Sequence, residues 1–194
     1  RGRVAPVYGC VRALIMRGGG PAPSLLLVSG EELLRRHAAG GGKLAASAAQ
    51  GTGATPALHT LVLTCMDTRI DVLGLFGLGV GEVHTLRNAG GVVTDDVVRS
   101  VTISQRKLGT REVLVVQHTL CGLTTFTDAE FSEELAEDVG MLPPWPIGAF
   151  ADPAVDVRRG MARLRRDPFL LPDTVIRGFV LDIEDFMLHE IHPD

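Results

Sequence analysis

The sequence predicts an α/β fold in which a mainly parallel sheet is flanked by helices. Short, β-rich apolar runs alternate along the chain with segments of helical pattern. Several of the predicted helices open on residues with strong capping preferences. The chain closes on two strand-like segments joined by a tight turn, which predicts an antiparallel hairpin at the sheet edge.

The predicted strands are short and mostly apolar. They are Leu61 to Leu63 running on to Cys65, Val83 to Leu86, Val113 to Gln117 ending at His118, Thr174 to Ile183, and Phe186 to Ile191 after a turn at Glu184-Asp185. Strands buried on both faces read as continuous apolar runs, so Leu61 to Leu63 fits a buried strand of a parallel sheet. We expect the strand order 2-1-3-4 of a doubly wound sheet, with the last segment at its edge.

Capping residues mark where the helices begin and end. Thr94 precedes two aspartates of a first turn, and Gly109 has the position of a left-handed helix end. The predicted helices run from about Arg69 to Phe76, from Thr94 to Gly109, from the capping box Thr127-Asp-Ala-Glu130 to Gly140, and onward from Asp152-Pro153.

Composition divides the chain into three parts. Residues 1–30 contain four arginines and no acidic residue, which is typical of either an extension or a targeting segment. Residues 31–57 begin with a helical pattern from Glu31 to Ala39 and continue as a Gly/Ala/Ser/Thr-rich stretch, so we expect a flexible N-terminal arm. Residues 58–194 then form the folded domain.

Charge and hydropathy exclude several classes of partner. The 194 residues are 45% hydrophobic with a net charge of −4, which gives no reason to expect a nucleic acid or an anionic membrane. The longest apolar runs fall well short of the roughly 20 residues that cross a bilayer. Three cysteines favour a reducing compartment, so we expect a cytoplasmic protein, or a plastid or mitochondrial one if residues 1–30 are a transit peptide.

Metal-ligating residues follow two of the predicted strands. Cys65-x-Asp67-x-Arg69 begins where the first strand ends, and His118-x-x-Cys121-Gly122 begins where the third ends. In the order 2-1-3-4 these two strands are neighbours, and ligands bind at the carboxyl ends of strands around such a point. Two thiolates and an imidazole suit one Zn²⁺ and leave a fourth position open for water. A lone buried cysteine or histidine is more often structural, but the combined pattern favours a catalytic zinc site.

The aspartate and arginine extend this interpretation. A carboxylate two residues from a zinc thiolate can accept a hydrogen bond from a metal-bound hydroxide. An adjacent guanidinium keeps such a carboxylate ionised and oriented. Asp67 and Arg69 are therefore candidate catalytic residues, whereas a surface ion pair is the structural alternative.

Together these motifs resemble the β-class carbonic anhydrases, and specifically their short prokaryotic-type branch. The resemblance rests on Cys65-x-Asp67-x-Arg69, Arg87-Asn88-Ala89-Gly90, His118-x-x-Cys121-Gly122, Thr94-Asp95-Asp96, Gly109-Thr110-Arg111-Glu112 and Arg177-Gly178-Phe179. It implies zinc ligation by Cys65, His118 and Cys121, a dyad of Asp67 and Arg69, and a place for Gly90 in the substrate pocket. It also implies hydration of CO₂ to bicarbonate and a proton by attack of a zinc-bound hydroxide, and a homodimer or higher homo-oligomer.

Other functions stay open at this point. Hydrolysis of COS or CS₂ would use the same zinc site, and a non-catalytic zinc or interaction protein would need no turnover at all. Thiol redox chemistry is less consistent with the pattern, because Cys65 and Cys121 do not form a Cys-x-x-Cys pair. Leu120 departs from the family, since the short branch commonly has a polar residue there.

Overall fold

The computed structural model describes residues 28–193, and the chain divides into two compact units at Ala46 and Ser47. The first 27 residues, and with them nearly all of the predicted extension, lie outside the described range. Helix α1 spans Val28–Arg36 and is followed by a π-helical turn, His37–Gly41, in which Gly40 has a φ of 130°. Helix α2, Gly42–Ala48, forms where composition predicted only a flexible arm, because its alanines are strong helix formers. The domain boundaries stay a prediction.

Five strands form one sheet in the order β2-β1-β3-β4-β5. Their bounds are β1 Thr60–Cys65, β2 Val83–Asn88, β3 Glu112–His118, β4 Val175–Leu181 and β5 Leu188–Ile191. The pairs β1–β2, β1–β3 and β3–β4 are parallel, and β4–β5 is antiparallel. The predicted order and the predicted edge hairpin are both confirmed.

Four helices lie in the second unit. They are α3 Val72–Phe76, α4 Asp95–Leu108, α5 Asp128–Val139 and α6 Pro153–Arg166. Of these, α3, α4 and α6 contribute buried residues to the apolar clusters on the sheet. The Thr94 hydroxyl caps α4, Gly109 ends it in the left-handed conformation, and both halves of the predicted capping box at Thr127 are present. Pro153 occupies the first turn of α6. Local capping chemistry therefore predicted these helix ends well.

Two elements begin or end elsewhere than predicted. Helix α3 starts at Val72 rather than near Arg69, because the Asp71 carboxylate caps it by accepting from the Leu73 N–H. The turn of the hairpin is longer than two residues, since Asp182 and Met187 are joined by a backbone bond and Phe186 adopts a φ of 61°. Both strands of the hairpin are accordingly shorter than predicted.

Apolar side chains fill both faces of the sheet. One buried cluster joins Leu61, Leu63, Val113 and Val115 to residues of α4 and α6. Helix α6 packs closely there, because a Cβ on Gly178 would lie 2.4 Å from Val157 Cγ1. The other cluster includes Val62, Val116 and Leu181 together with Cys65 and Cys121. The ends of β1 and β3 thus lie in an apolar environment. Between residues 28 and 193 no helix is long and apolar enough to cross a membrane.

Candidate metal centre

The predicted ligands meet at the carboxyl ends of two neighbouring strands. Strand β1 ends at Cys65 and β3 ends at His118, and the parallel register pairs Thr64 with Val116. The candidate ligand atoms of Cys65, His118 and Cys121 all lie within 4.8 Å of one another, and all three residues are buried. The described residues contribute no fourth cysteine, histidine or carboxylate to this group. Three convergent donors with one open position match a catalytic zinc site.

Hydrogen bonding leaves the correct nitrogen of His118 available to a metal. Its Nδ1 lies 2.8 Å from the Thr119 carbonyl, which can only accept, so Nδ1 carries the proton and Nε2 has a lone pair. The ring is fully buried, and Nε2 makes no well-aligned hydrogen bond within residues 28–193. A buried acceptor without a partner is costly, and a metal ion would satisfy it. The residues present therefore fit the zinc that the sequence predicts.

The pKa values of the two cysteine thiols are shifted in opposite directions. The interaction with Cys121, aided by smaller ones with His118 and with the Asp67 and Gly90 N–H groups, lowers the pKa of Cys65 to about 4 against the effect of burial. The same interaction with Cys65, together with burial, raises the pKa of Cys121. Burial lowers the pKa of His118, but the interactions with Cys65, the Thr119 carbonyl and Asp67 together raise it by more, so the net shift is upward. One proton shared by two close sulfurs is the state that a bound cation would displace.

Asp67 and Arg69 form a two-pronged ion pair beside these ligands. Arg69 Nε lies 2.9 Å from Asp67 Oδ1 and Nη2 lies 2.7 Å from Oδ2, while the Arg69 N–H also donates to Oδ1. This hydrogen bonding lowers the pKa of Asp67 to about 2. Asp67 Oδ2 lies 3.8 Å from His118 Nε2. The carboxylate is thus ionised and directed towards the metal position.

Arg87 holds the loop that carries Cys65 and Asp67. Its Nε donates to the Cys65 carbonyl at 2.9 Å and its Nη2 to the Asp67 carbonyl at 2.5 Å. The next residue, Asn88, closes the following turn with two side-chain bonds to the backbone of Val92. Arg87 lies in the Arg-Asn-Ala-Gly motif, but no sequence pattern indicates this role, because a guanidinium that donates to backbone carbonyls has no signature of its own.

Two glycines bring a turn into contact with the first ligand. Gly90 has a φ of 77°, and a Cβ there would lie 2.6 Å from Leu123 Cδ2. Gly91 has a φ of 65°, and a Cβ there would lie 2.9 Å from the Cys65 nitrogen. Both positions need glycine for conformation and for space. That Gly90 lines the substrate pocket stays a prediction, and no sequence pattern indicates the requirement for glycine at Gly91.

Comparison with known proteins identifies the family. A family model described as carbonic anhydrase matches residues 60–146. β-Carbonic anhydrase 1 of Mycobacterium tuberculosis is 44% identical over 138 residues, which cover 71% of this chain and 85% of that protein. The chain belongs to the β-carbonic anhydrase family. β-Carbonic anhydrases are zinc enzymes, and Cys65, His118 and Cys121 form a group that can bind the metal.

Further relatives include carbonic anhydrases and a related hydrolase. The solved structure of carbonic anhydrase from Streptococcus mutans has a TM-score of 0.76 and 35% identity, covering 84% of this chain and 96% of that one. A carbon disulfide hydrolase from Acidianus is 32% identical over 154 residues, covering 66% of this chain and 75% of that protein. The β-carbonic anhydrase fold predicted from the sequence is therefore confirmed.

Proposed function

We propose that the chain hydrates CO₂ reversibly to bicarbonate and a proton, with one zinc ion per subunit held by Cys65, His118 and Cys121. The observation that carries this proposal is the buried, unpartnered Nε2 of His118 facing two cysteine sulfurs, with an ionised carboxylate 3.8 Å away. When bound, zinc lowers the pKa of a coordinated water to near 7, which provides a nucleophile at neutral pH. The side chains around the site orient this water and form the walls of the substrate pocket.

Asp67 is the hydrogen-bond acceptor that orients the nucleophilic water. Oδ1 of Asp67 accepts two hydrogen bonds from Arg69, and Oδ2 accepts one. The second lone pair of Oδ2 is therefore the one that can accept from a water in the site. An acceptor fixed in this way selects one orientation of the water and leaves a lone pair of its oxygen free to meet carbon.

The surroundings of the site suit a small apolar substrate. Cys65 and Cys121 belong to an apolar cluster with Phe150, and Leu123 packs against it beside Gly90. A cavity of about 400 Å³ reaches Arg69 from the side of Leu75, Leu181 and Phe186. CO₂ has no net charge or dipole, so apolar walls accept it without desolvation cost, whereas bicarbonate leaves more readily for water. We assign Gly90 to the wall of the substrate pocket on the side of Leu123 and Phe150, apart from this cavity.

Hydrolysis of CS₂ is the second candidate, because a carbon disulfide hydrolase is among the relatives. The higher identity and fuller coverage of the mycobacterial carbonic anhydrase favour CO₂. A direct experiment is to load the full chain with zinc and compare stopped-flow CO₂ hydration with sulfide release from CS₂ and COS. We expect CO₂ turnover to exceed sulfide release by at least about 100-fold, a difference of roughly 3 kcal/mol in barrier. Faster sulfide release would assign the chain to the hydrolases.

We infer that the subunit pairs with a second copy through β5. This strand lies at the sheet edge, and the exposed Phe186 and Met187 flank it. Light scattering on Met187→Asp tests this, with Met141→Asp as a control because Met141 is equally exposed but follows α5. We expect the molar mass in solution to fall to that of a single subunit only for the Met187 variant. Equal molar masses for the two variants would place the interface elsewhere. The cytoplasmic location stays a prediction from composition.

A further inference from the structure

Leu120, which lies between the ligands His118 and Cys121, has an unusual backbone. Its φ is 53°, in the left-handed region that glycine, asparagine and aspartate adopt far more readily than leucine. Its side chain is 58% exposed, so burial does little to offset this conformation. Such a conformation persists only where the surrounding chain imposes it, and it commonly marks a functional position.

Anchors on both sides of Leu120 impose it. Thr119 is tied to the end of β4, since its N–H donates to the Leu181 carbonyl at 2.9 Å and its hydroxyl accepts from the Ile183 N–H at 3.0 Å. Cys121 is buried, and its carbonyl accepts from the Thr124 hydroxyl at 2.7 Å. Leu120 connects Thr119 and Cys121, which these hydrogen bonds hold in place, and it does so in the left-handed conformation.

The result of this conformation is a contact between the two ligand-bearing loops. The Leu120 carbonyl accepts from Arg69 Nη2 at 3.2 Å, and the same nitrogen donates to Asp67 Oδ2 at 2.7 Å. Arg69 is 41% exposed, so its guanidinium needs restraints to stay in the plane of the carboxylate. A carbonyl on the loop after β3 thereby restrains an arginine on the loop after β1.

We propose that Leu120 is a positioning residue: its left-handed backbone aims its carbonyl at Arg69 and so holds the guanidinium against Asp67. This inference rests on the proposed function, in which Asp67 orients the water. The role belongs to the main chain, so side chains compatible with the left-handed region preserve it. Asparagine satisfies that condition, whereas β-branched valine strongly disfavours the conformation.

The experiment is a double-mutant cycle on the zinc-loaded full chain. Leu120→Val and Leu120→Asn are each combined with Arg69 and with Arg69→Ala, and kcat/KM for CO₂ and zinc content are measured. We expect Leu120→Val to lower kcat/KM about tenfold when Arg69 is present and less than about twofold when it is absent, with zinc retained. Leu120→Asn should stay within about twofold of the unmodified chain.

A second readout does not depend on turnover. In nitrogen-15 spectra, the Arg69 Nε–H of the zinc-loaded chain should exchange with solvent several-fold faster in Leu120→Val than in Leu120→Asn, because one restraint is lost. An equal loss of activity in both arginine backgrounds, loss of zinc in Leu120→Val, or an unchanged Arg69 signal in that variant would overturn the proposal. Absence of CO₂ turnover in the unmodified chain would instead overturn the proposed function, while the Arg69 signal would still report on Leu120.

Discussion

Oδ2 of Asp67 lies 3.8 Å from Nε2 of His118, beside the candidate ligand group of Cys65, His118 and Cys121. Neither atom is placed there by its own side chain alone. Arg69 fixes the carboxylate through two hydrogen bonds, and the Thr119 carbonyl fixes the imidazole tautomer. At this distance, a metal ligand such as His118 and a hydrogen-bond acceptor such as Asp67 can both act on one bound water. Metal binding and the protonation of that water are then linked.

Loss of Arg69 should change the pKa and the orientation of the Asp67 carboxylate without removing zinc. The folded pKa of Asp67 is about 2, below the ordinary Asp value of about 3.9, so the pair stabilises the fold above that ordinary value. This stabilisation disappears as the pH falls through about 2. Arg69→Ala should raise the Asp67 pKa, move the acid limit of activity upward and lower kcat/KM about 10- to 100-fold. pH–rate profiles measure the acid limit and kcat/KM, and carbon-13 titration of the carboxyl measures its pKa.

A matched control for Arg69 exists on α4. Arg99 also pairs with an aspartate, Asp96, at 3.5 Å, but on an exposed helix surface. Arg99→Ala should leave the pH–rate profile unchanged, because exposed pairs contribute little and this one is not part of the metal centre. A similar loss of activity in both variants would contradict a specific role for Arg69.

Arg87 should control zinc affinity through the loop that it holds. Removing its bonds to the Cys65 and Asp67 carbonyls frees the first ligand, so Arg87→Ala should weaken zinc binding about 10- to 100-fold. Competition with a chelator measures the affinity. Arg111→Ala is the control, since Arg111 also donates to backbone carbonyls, at Thr110 and Gln105, but precedes β3 at its opposite end. Equal affinities in the two variants would count against this role.

Gly91 should tolerate no side chain. A Cβ at a φ of 65° would lie 2.9 Å from the backbone of both Thr64 and Cys65, which cannot move without displacing a ligand. We expect Gly91→Ala to lower the free energy of unfolding by about 2–3 kcal/mol. Gly122→Ala, where nothing lies within 4 Å of the added carbon, should cost less than about 1 kcal/mol. Urea unfolding of the two variants makes the comparison, and a neutral Gly91→Ala would contradict the described turn.

Relief of backbone strain at Leu120 should stabilise the chain. Left-handed backbone costs a leucine about 1–2 kcal/mol, and asparagine tolerates it better. Leu120→Asn should therefore raise the free energy of unfolding by about 1 kcal/mol and the melting temperature by about 2–4 °C. Leu142→Asn is the control, because Leu142 is also exposed but is not among the residues with positive φ. Calorimetry that finds no gain, or an equal gain at Leu142, would contradict the strain.

Local chemistry explains what the sequence could predict. Capping residues such as Thr94 and Thr127 act within one helical turn, so their helices began where expected. The ligands could be grouped because parallel strands of known order bring Cys65 and His118 to one sheet edge. Contacts between loops have no comparable pattern in the sequence. The carbonyl bonds of Arg87 and the backbone of Leu120 depend on how two turns meet, which only the folded chain determines.

Zinc content measured together with CO₂ hydration tests the central claim most directly. The full chain should hold about one zinc per subunit and hydrate CO₂, and His118→Ala should lose both, since two thiolates alone leave the tetrahedral site incomplete. His84→Ala is the control, because His84 bonds to Ser104 and to the Ala54 carbonyl and is not in the metal group. It should keep zinc and activity. Full CO₂ turnover by a His118→Ala chain that contains no zinc would contradict the account.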